Sequence, residues 1–140
     1  MNLRGVNNEQ RTFDVIPESA RAARQFIGEI LRQRGASETT VRDYQLVVSE
    51  LVANVIEHGG ESGITVFSDF SNPEWWDIGV VGGEVVDENP LKQPDAWTVA
   101  GNGNVSGRGL GIVRQLMDDI VTDTTDDRLR IRCRRKRVEV

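Results

Sequence analysis

Residues 40–58 constrain the fold more than any other stretch. Val41, Tyr44, Val47, Val48, Leu51, Val52 and Val55 fall within one broad stripe at 100° per residue. A helix with so wide an apolar stripe must bury its length against other elements. Ser37 opens the SETT run as its cap, with Thr39 and Thr40 as further candidates, and Gly59-Gly60 stops it. Upstream, Ala23, Phe26, Ile27, Ile30 and Leu31 predict a second helix over 20–34, led in by Pro17 and closed by Gly35. Alternation predicts strands over 11–16, 63–70 and 75–81, the last two joined by the turn Ser71-Asn72-Pro73-Glu74. A third helix is predicted over 109–120, with Leu110, Val113, Leu116, Met117 and Ile120 on one face. Strands over 119–125 and 128–138 follow. This order argues for one α+β domain over 1–140, a two-layer sandwich with a mostly antiparallel sheet and helices packed on one face.

Composition narrows the function classes. The net charge of −5 hides a split: residues 128–137, RLRIRCRRKR, hold seven of the 17 basic residues, which leaves 1–127 at −11. An acidic body argues against direct nucleic-acid binding. The basic run alternates, with Leu129, Ile131 and Cys133 on one side and Arg128, Arg130, Arg132 and Arg134 on the other. That pattern predicts a half-buried strand whose arginine stripe Arg135-Lys136-Arg137 extends. The single cysteine excludes an internal disulfide and reads as a sheet residue rather than a reactive thiol. No apolar run approaches the roughly 18 residues of a membrane span, and MNLRGVNNEQ lacks the apolar core of a signal peptide. The expectation is a cytoplasmic chain without a membrane partner.

Two segments carry chemistry. Glu50 and Asn54 stand one helical turn apart and project side by side at the edge of the apolar stripe, with Asp43 and Glu57 nearby. A carboxylate and an amide oxygen are hard donors of the kind Mg²⁺ prefers, and the carboxylate can take a proton. The other reading is that both merely solvate the helix. The second segment is glycine-rich: eight of 14 glycines lie between Gly79 and Gly111, ending in Ser106-Gly107-Arg108-Gly109-Leu110-Gly111 at the third helix. Glycines let amide groups approach an anion, and a helix N-terminus favours negative charge. The bland alternative is a glycine-rich surface loop. Neither a Walker A loop nor a dinucleotide fingerprint is present. The irregular stretch 82–106 is long for a compact domain, as functional lids are.

Taken together, YQLVVSELVANVIEHG, the hairpin, the long loop and GRGLGIVRQLMDDI resemble the ATP-binding domain of the GHKL superfamily. Within it, the chain resembles the bacterial anti-sigma-factor serine/threonine kinases of the RsbW type over nearly its whole length. The resemblance implies a Bergerat-type ATP-binding fold with an ATP lid at about 82–106. Glu50 would be the residue that activates the attacking hydroxyl. Asn54 would hold Mg²⁺ on ATP, and Gly107, Arg108, Gly109, Leu110 and Gly111 would cradle the phosphates. His58 sits where the family often has a histidine, although a role at the helix dipole explains it equally. The implied reaction is phosphoryl transfer from ATP to a serine or threonine of an anti-anti-sigma (STAS-type) protein, in competition with a sigma factor, by a homodimer.

One departure matters. The family places an adenine-binding Asp just after the return strand, and strand register puts Gly82 there. The nearest later candidate is Asp87, in VVDENP. A non-catalytic member of the same fold, binding partners but little or no nucleotide, is the alternative that Gly82 favours. Of the tryptophans, Trp75 and Trp76 are expected on opposite faces of their strand. Trp97 lies in the loop, as a lid contact or a cover for the core.

Overall fold

A computed structural model describes residues 8–58, 63–82 and 105–137. In chain order these form β1 (Asn8–Phe13), α1 (Ser19–Gln33), α2 (Glu38–His58), β2 (Ile64–Asp69), β3 (Trp75–Val81), α3 (Val105–Leu116), β4 (Asp119–Thr125) and β5 (Arg128–Lys136). The strands make one antiparallel sheet in the order β1-β2-β3-β5-β4. The helices cover one face, so the α+β sandwich expected from the sequence is the fold. No helix among the described residues is long and apolar enough to cross a membrane.

Local chemistry sets the element ends. Ser37 caps α2 as expected, its Oγ accepting the Thr40 N–H at 3.1 Å. Gly35, at φ +83°, closes α1 with paired bonds, Ala36 N–H to Leu31 O at 3.0 Å and Gly35 N–H to Arg32 O at 3.1 Å. Glycine takes that left-handed conformation without the Cβ clash other residues meet. The β2–β3 turn is held by Asp69 and Asn72, whose side chains accept the amides of Ser71 and Glu74 at 3.1 and 2.9 Å. Asp126 and Asp127, at φ 51° and 61°, join β4 to β5 in a two-residue turn.

Two boundaries differ from the sequence reading. β1 is Asn8–Phe13 rather than 11–16, because its ladder pairs Asn8 with Asp69 and Phe13 with Ile64. Val15 is a partly buried side chain packed against the core beyond the strand end. α3 is Val105–Leu116 rather than 109–120. Its end is set by the sheet: the Asp118 N–H donates to Arg134 O at 2.9 Å, which draws the following residues into β4.

The core lies between the sheet and the helices. Every residue of the α2 stripe, Val41 through Val55, is fully buried. Leu129, Ile131 and Cys133 meet it from β5 and Ile78 and Val80 from β3. Tyr44 ties the layers together, its hydroxyl donating to Trp76 O at 2.7 Å and lying 3.2 Å from Cys133 O. Burial pushes the Tyr44 phenol well above its usual range and the Cys133 thiol up as well. Trp76 is buried and Trp75 half-buried on the other face, as alternation requires.

Two further expectations need correction. Arg135 and Arg137 do not extend the arginine stripe, because the strand's alternation turns them to the helix side. Arg135 pairs with Asp43 of α2 at 2.5 Å, and the Arg137 guanidinium lies 3.9 Å from the Trp76 ring. Asp43, near Glu50 on the helical wheel, is thus a strut between α2 and β5, about 10 Å along the helix from Glu50.

Candidate functional site

The site candidates gather where α3 crosses α2. Leu110 and Val113 are buried in the shared core, and this packing fixes the crossing. Gly109 comes down directly on Glu50. A methyl group at Gly109 would overlap the Glu50 carboxylate, with the carboxyl carbon 2.6 Å away. Glycine is the one residue that allows this approach.

Glu50 is half-buried, and loss of water around it raises its pKa above the usual carboxylate range. A carboxylate so shifted takes a proton more readily near neutral pH.

Asn54, one turn on, is 1% exposed. Its Nδ2 donates to Glu50 O at 2.9 Å, which fixes the amide orientation. The Oδ1 is buried and has no hydrogen-bond partner among the described residues. A buried acceptor left unmatched costs roughly 1–3 kcal/mol, so it marks a place where a ligand completes the site. An amide oxygen fits a hard cation such as Mg²⁺, which takes few protein ligands and keeps water and phosphate oxygens. Among the described residues, no group of three or more His, Cys, Asp or Glu side chains stands ready to hold a metal alone.

The remaining candidates fall at different distances from this crossing. Gly107 and Arg108 lie in the first turns of α3, and Gly111 in its body. The amides that lack an acceptor within the helix are those of its first turn, Val105 to Gly107. Those of Gly109, Leu110 and Gly111 belong to the helical ladder, and the Leu110 side chain is core. His58 ends α2. Asp87, Trp97 and nearly all of the lid stretch 82–106 lie outside the described residues.

Gly82 continues the β3 ladder, its N–H donating to Leu129 O at 2.9 Å. A Cβ there would point at α2, 3.0 Å from Val55 Cγ1, one residue past Asn54. A side chain at position 82 would press on Val55 of the α2 stripe, and glycine leaves that place bare. Arg128, read from the sequence only as one arginine of a stripe, also closes this end. Its guanidinium donates to Gly63 O and, at 3.1 Å, to Val81 O. Periodicity gave no sign of that clamp, because it depends on three separate chain segments meeting.

No curated protein matches the chain. Among solved structures, the RsbU and RsbW domains of Rv1364c from Mycobacterium tuberculosis match at TM-score 0.64 and 17% identity. The match covers 94% of this chain and 33% of that one, so the chain spans about a third of its neighbour's length. At that identity the likeness speaks for the fold. The model of the histidine kinase-like ATPase domain matches residues 13–135, and the chain belongs to that family.

Proposed function

We propose that this chain is an ATP–Mg²⁺-dependent serine/threonine protein kinase that acts as an anti-sigma factor in a cytoplasmic partner-switching pathway. The observation that carries the reading is the Glu50–Asn54 face of α2: a carboxylate with a raised pKa, packed under Gly109 of α3, beside a buried amide oxygen that has no hydrogen-bond partner among the described residues. The ATPase family membership and the RsbW-containing neighbour support it.

In this reading the partner's serine or threonine oxygen bonds to the γ-phosphorus of ATP, the bond to the β-phosphate oxygen breaks, and ADP leaves. Glu50 accepts the hydroxyl proton. Asn54 would hold Mg²⁺ through Oδ1, and the cation would supply charge neutralisation on the phosphates. The first turn of α3 offers amide groups and the helix dipole, with Gly107–Gly111 and Arg108 as the phosphate cradle. Asp87 is the candidate for the adenine contact. The partners are a sigma factor and an anti-anti-sigma protein of STAS type, and the kinase acts as a homodimer.

A second reading has its own observation. Glycine stands at position 82, where the family resemblance expects the adenine-binding Asp, which favours a protein-binding regulator with weak or no nucleotide affinity. Losing one hydrogen bond to a charged group weakens binding by about one to two decades. Calorimetric titration with ATP, with and without Mg²⁺, separates the two. The kinase reading expects Mg²⁺-dependent binding, weakened in Asp87→Ala. No heat from ATP would leave the regulator.

A further inference from the structure

Among the described residues, Glu50 is open on one side. α3 lies on it through Gly109, and the buried side chains of Val47 and Leu51 close the core side. What stays open is the outer ridge of α2. Leu46 and Arg42 stand on that ridge one and two turns before Glu50, at intervals of four residues and so about 6 Å apart along the helix. Three large apolar side chains are exposed among the described residues, Ile16, Leu46 and Val121, and of these only Leu46 borders Glu50. Arg42 is exposed as well, and Glu38, one turn before it, is already held by Arg32 at 3.1 Å. Across the gap, Ile112 follows Gly109 by one turn on the same side of α3 and is half-buried without being packed in the core. The two helices run in opposite senses here, since Asp118 beyond α3 bonds to Arg134 while Arg135 pairs with Asp43 in the first half of α2. Ile112 therefore lies toward the Leu46 side of Glu50.

We propose that the ridge Arg42–Leu46–Glu50 selects the segment that carries the accepting hydroxyl. This rests on the kinase reading of Glu50, in which the phosphates lie toward Asn54 and the start of α3. The accepting segment then comes over the other half of the ridge. It is extended, with a large apolar residue two positions from its serine or threonine and an acidic residue four positions away. The reason is a match of periods. An extended chain advances about 6–7 Å in two residues and keeps alternate side chains on one face, while α2 advances about 6 Å in four. A hydroxyl, an apolar group and an acid at every second position thus meet Glu50, Leu46 and Arg42 in turn. Leu46 and Ile112 shelter the apolar side chain from water. Arg42 attracts the acid and repels a basic residue in its place.

Fluorescence anisotropy of the full chain with end-labelled nonapeptides tests this. The probe DALASALAD sets leucine two and aspartate four residues to either side of a central serine, so either chain direction fits. Wild type is expected to bind it about tenfold or more tightly than DAAASAAAD or KALASALAK. Leu46→Asp removes the preference for leucine. Arg42→Glu reverses the charge preference, so that KALASALAK binds better than DALASALAD, an exchange that loss of structure does not produce. If Leu46→Asp proves unfolded by circular dichroism, Leu46→Ser replaces it with the same expectation. No binding of any peptide, equal binding of all three by wild type, or the wild-type preference kept in either variant would overturn the proposal. Radiolabelled transfer from ATP–Mg²⁺ to the same peptides keeps the readings apart. Selective binding without transfer sinks the kinase and spares the selectivity of the ridge, whereas transfer to all three with equal kcat/KM does the reverse.

Discussion

Glu50 destabilises the fold that it serves. Its pKa is raised by desolvation, so protonation favours the folded state. The contribution is fully present below the ordinary carboxylate pKa and is lost as pH rises through the shifted one, leaving an ill-solvated charge at neutral pH. Glu50→Gln is therefore expected to raise the melting temperature by about 1–3 °C at neutral pH, a gap that closes in acid. On the proposed kinase reading, the same variant should slow phosphoryl transfer by about 10²–10⁴-fold. Calorimetric melting and a radiolabelled transfer assay measure the two effects. Gly109→Ala tests the packing: its methyl displaces the carboxylate, so transfer falls while the core, which Gly109 does not fill, keeps the protein folded. That Glu50 and Asn54 stand one helical turn apart was legible from their spacing. The orphaned Oδ1 was not, because it follows from what surrounds Asn54 in space.

At the scale of elements, caps and turns were readable because their chemistry is local. Ser37→Ala should cost about 1 kcal/mol, seen as a lower denaturant midpoint, through loss of the bond to the Thr40 amide. Element ends set by distant partners were not readable. α3 stops at Leu116 because Asp118 bonds to β5, and it starts at Val105, ahead of the glycine motif. This start sets an expectation for ligand binding. If Gly107–Gly111 cradle phosphates, the amides from Gly109 to Gly111 must change partners, so hydrogen exchange in the N-terminal half of α3 should respond to ATP–Mg²⁺. β4 should show no change. Unaltered exchange across α3 would remove the cradle from that segment.

For the whole molecule, the sole tyrosine reports on integrity. Tyr44 sits between the layers, and burial holds its phenol neutral well above pH 10. A raised phenol pKa contributes stability that is complete below about pH 10 and is lost as pH climbs further. Phenolate absorbance should therefore appear only with alkaline unfolding, as one coincident transition with circular dichroism. The sequence by itself determined the helices and strands, the inward stripe of α2, the alternation of β5 and the residue types at the site. Each of these follows from periodicity or from bonds within a few residues. Tertiary structure alone decided that Gly109 meets Glu50, that Arg135 leaves the arginine row for Asp43, and that Arg128 clamps Gly63 and Val81. Those contacts join residues 47 to 92 positions apart, set by helix crossing and sheet order, to which no local pattern is sensitive.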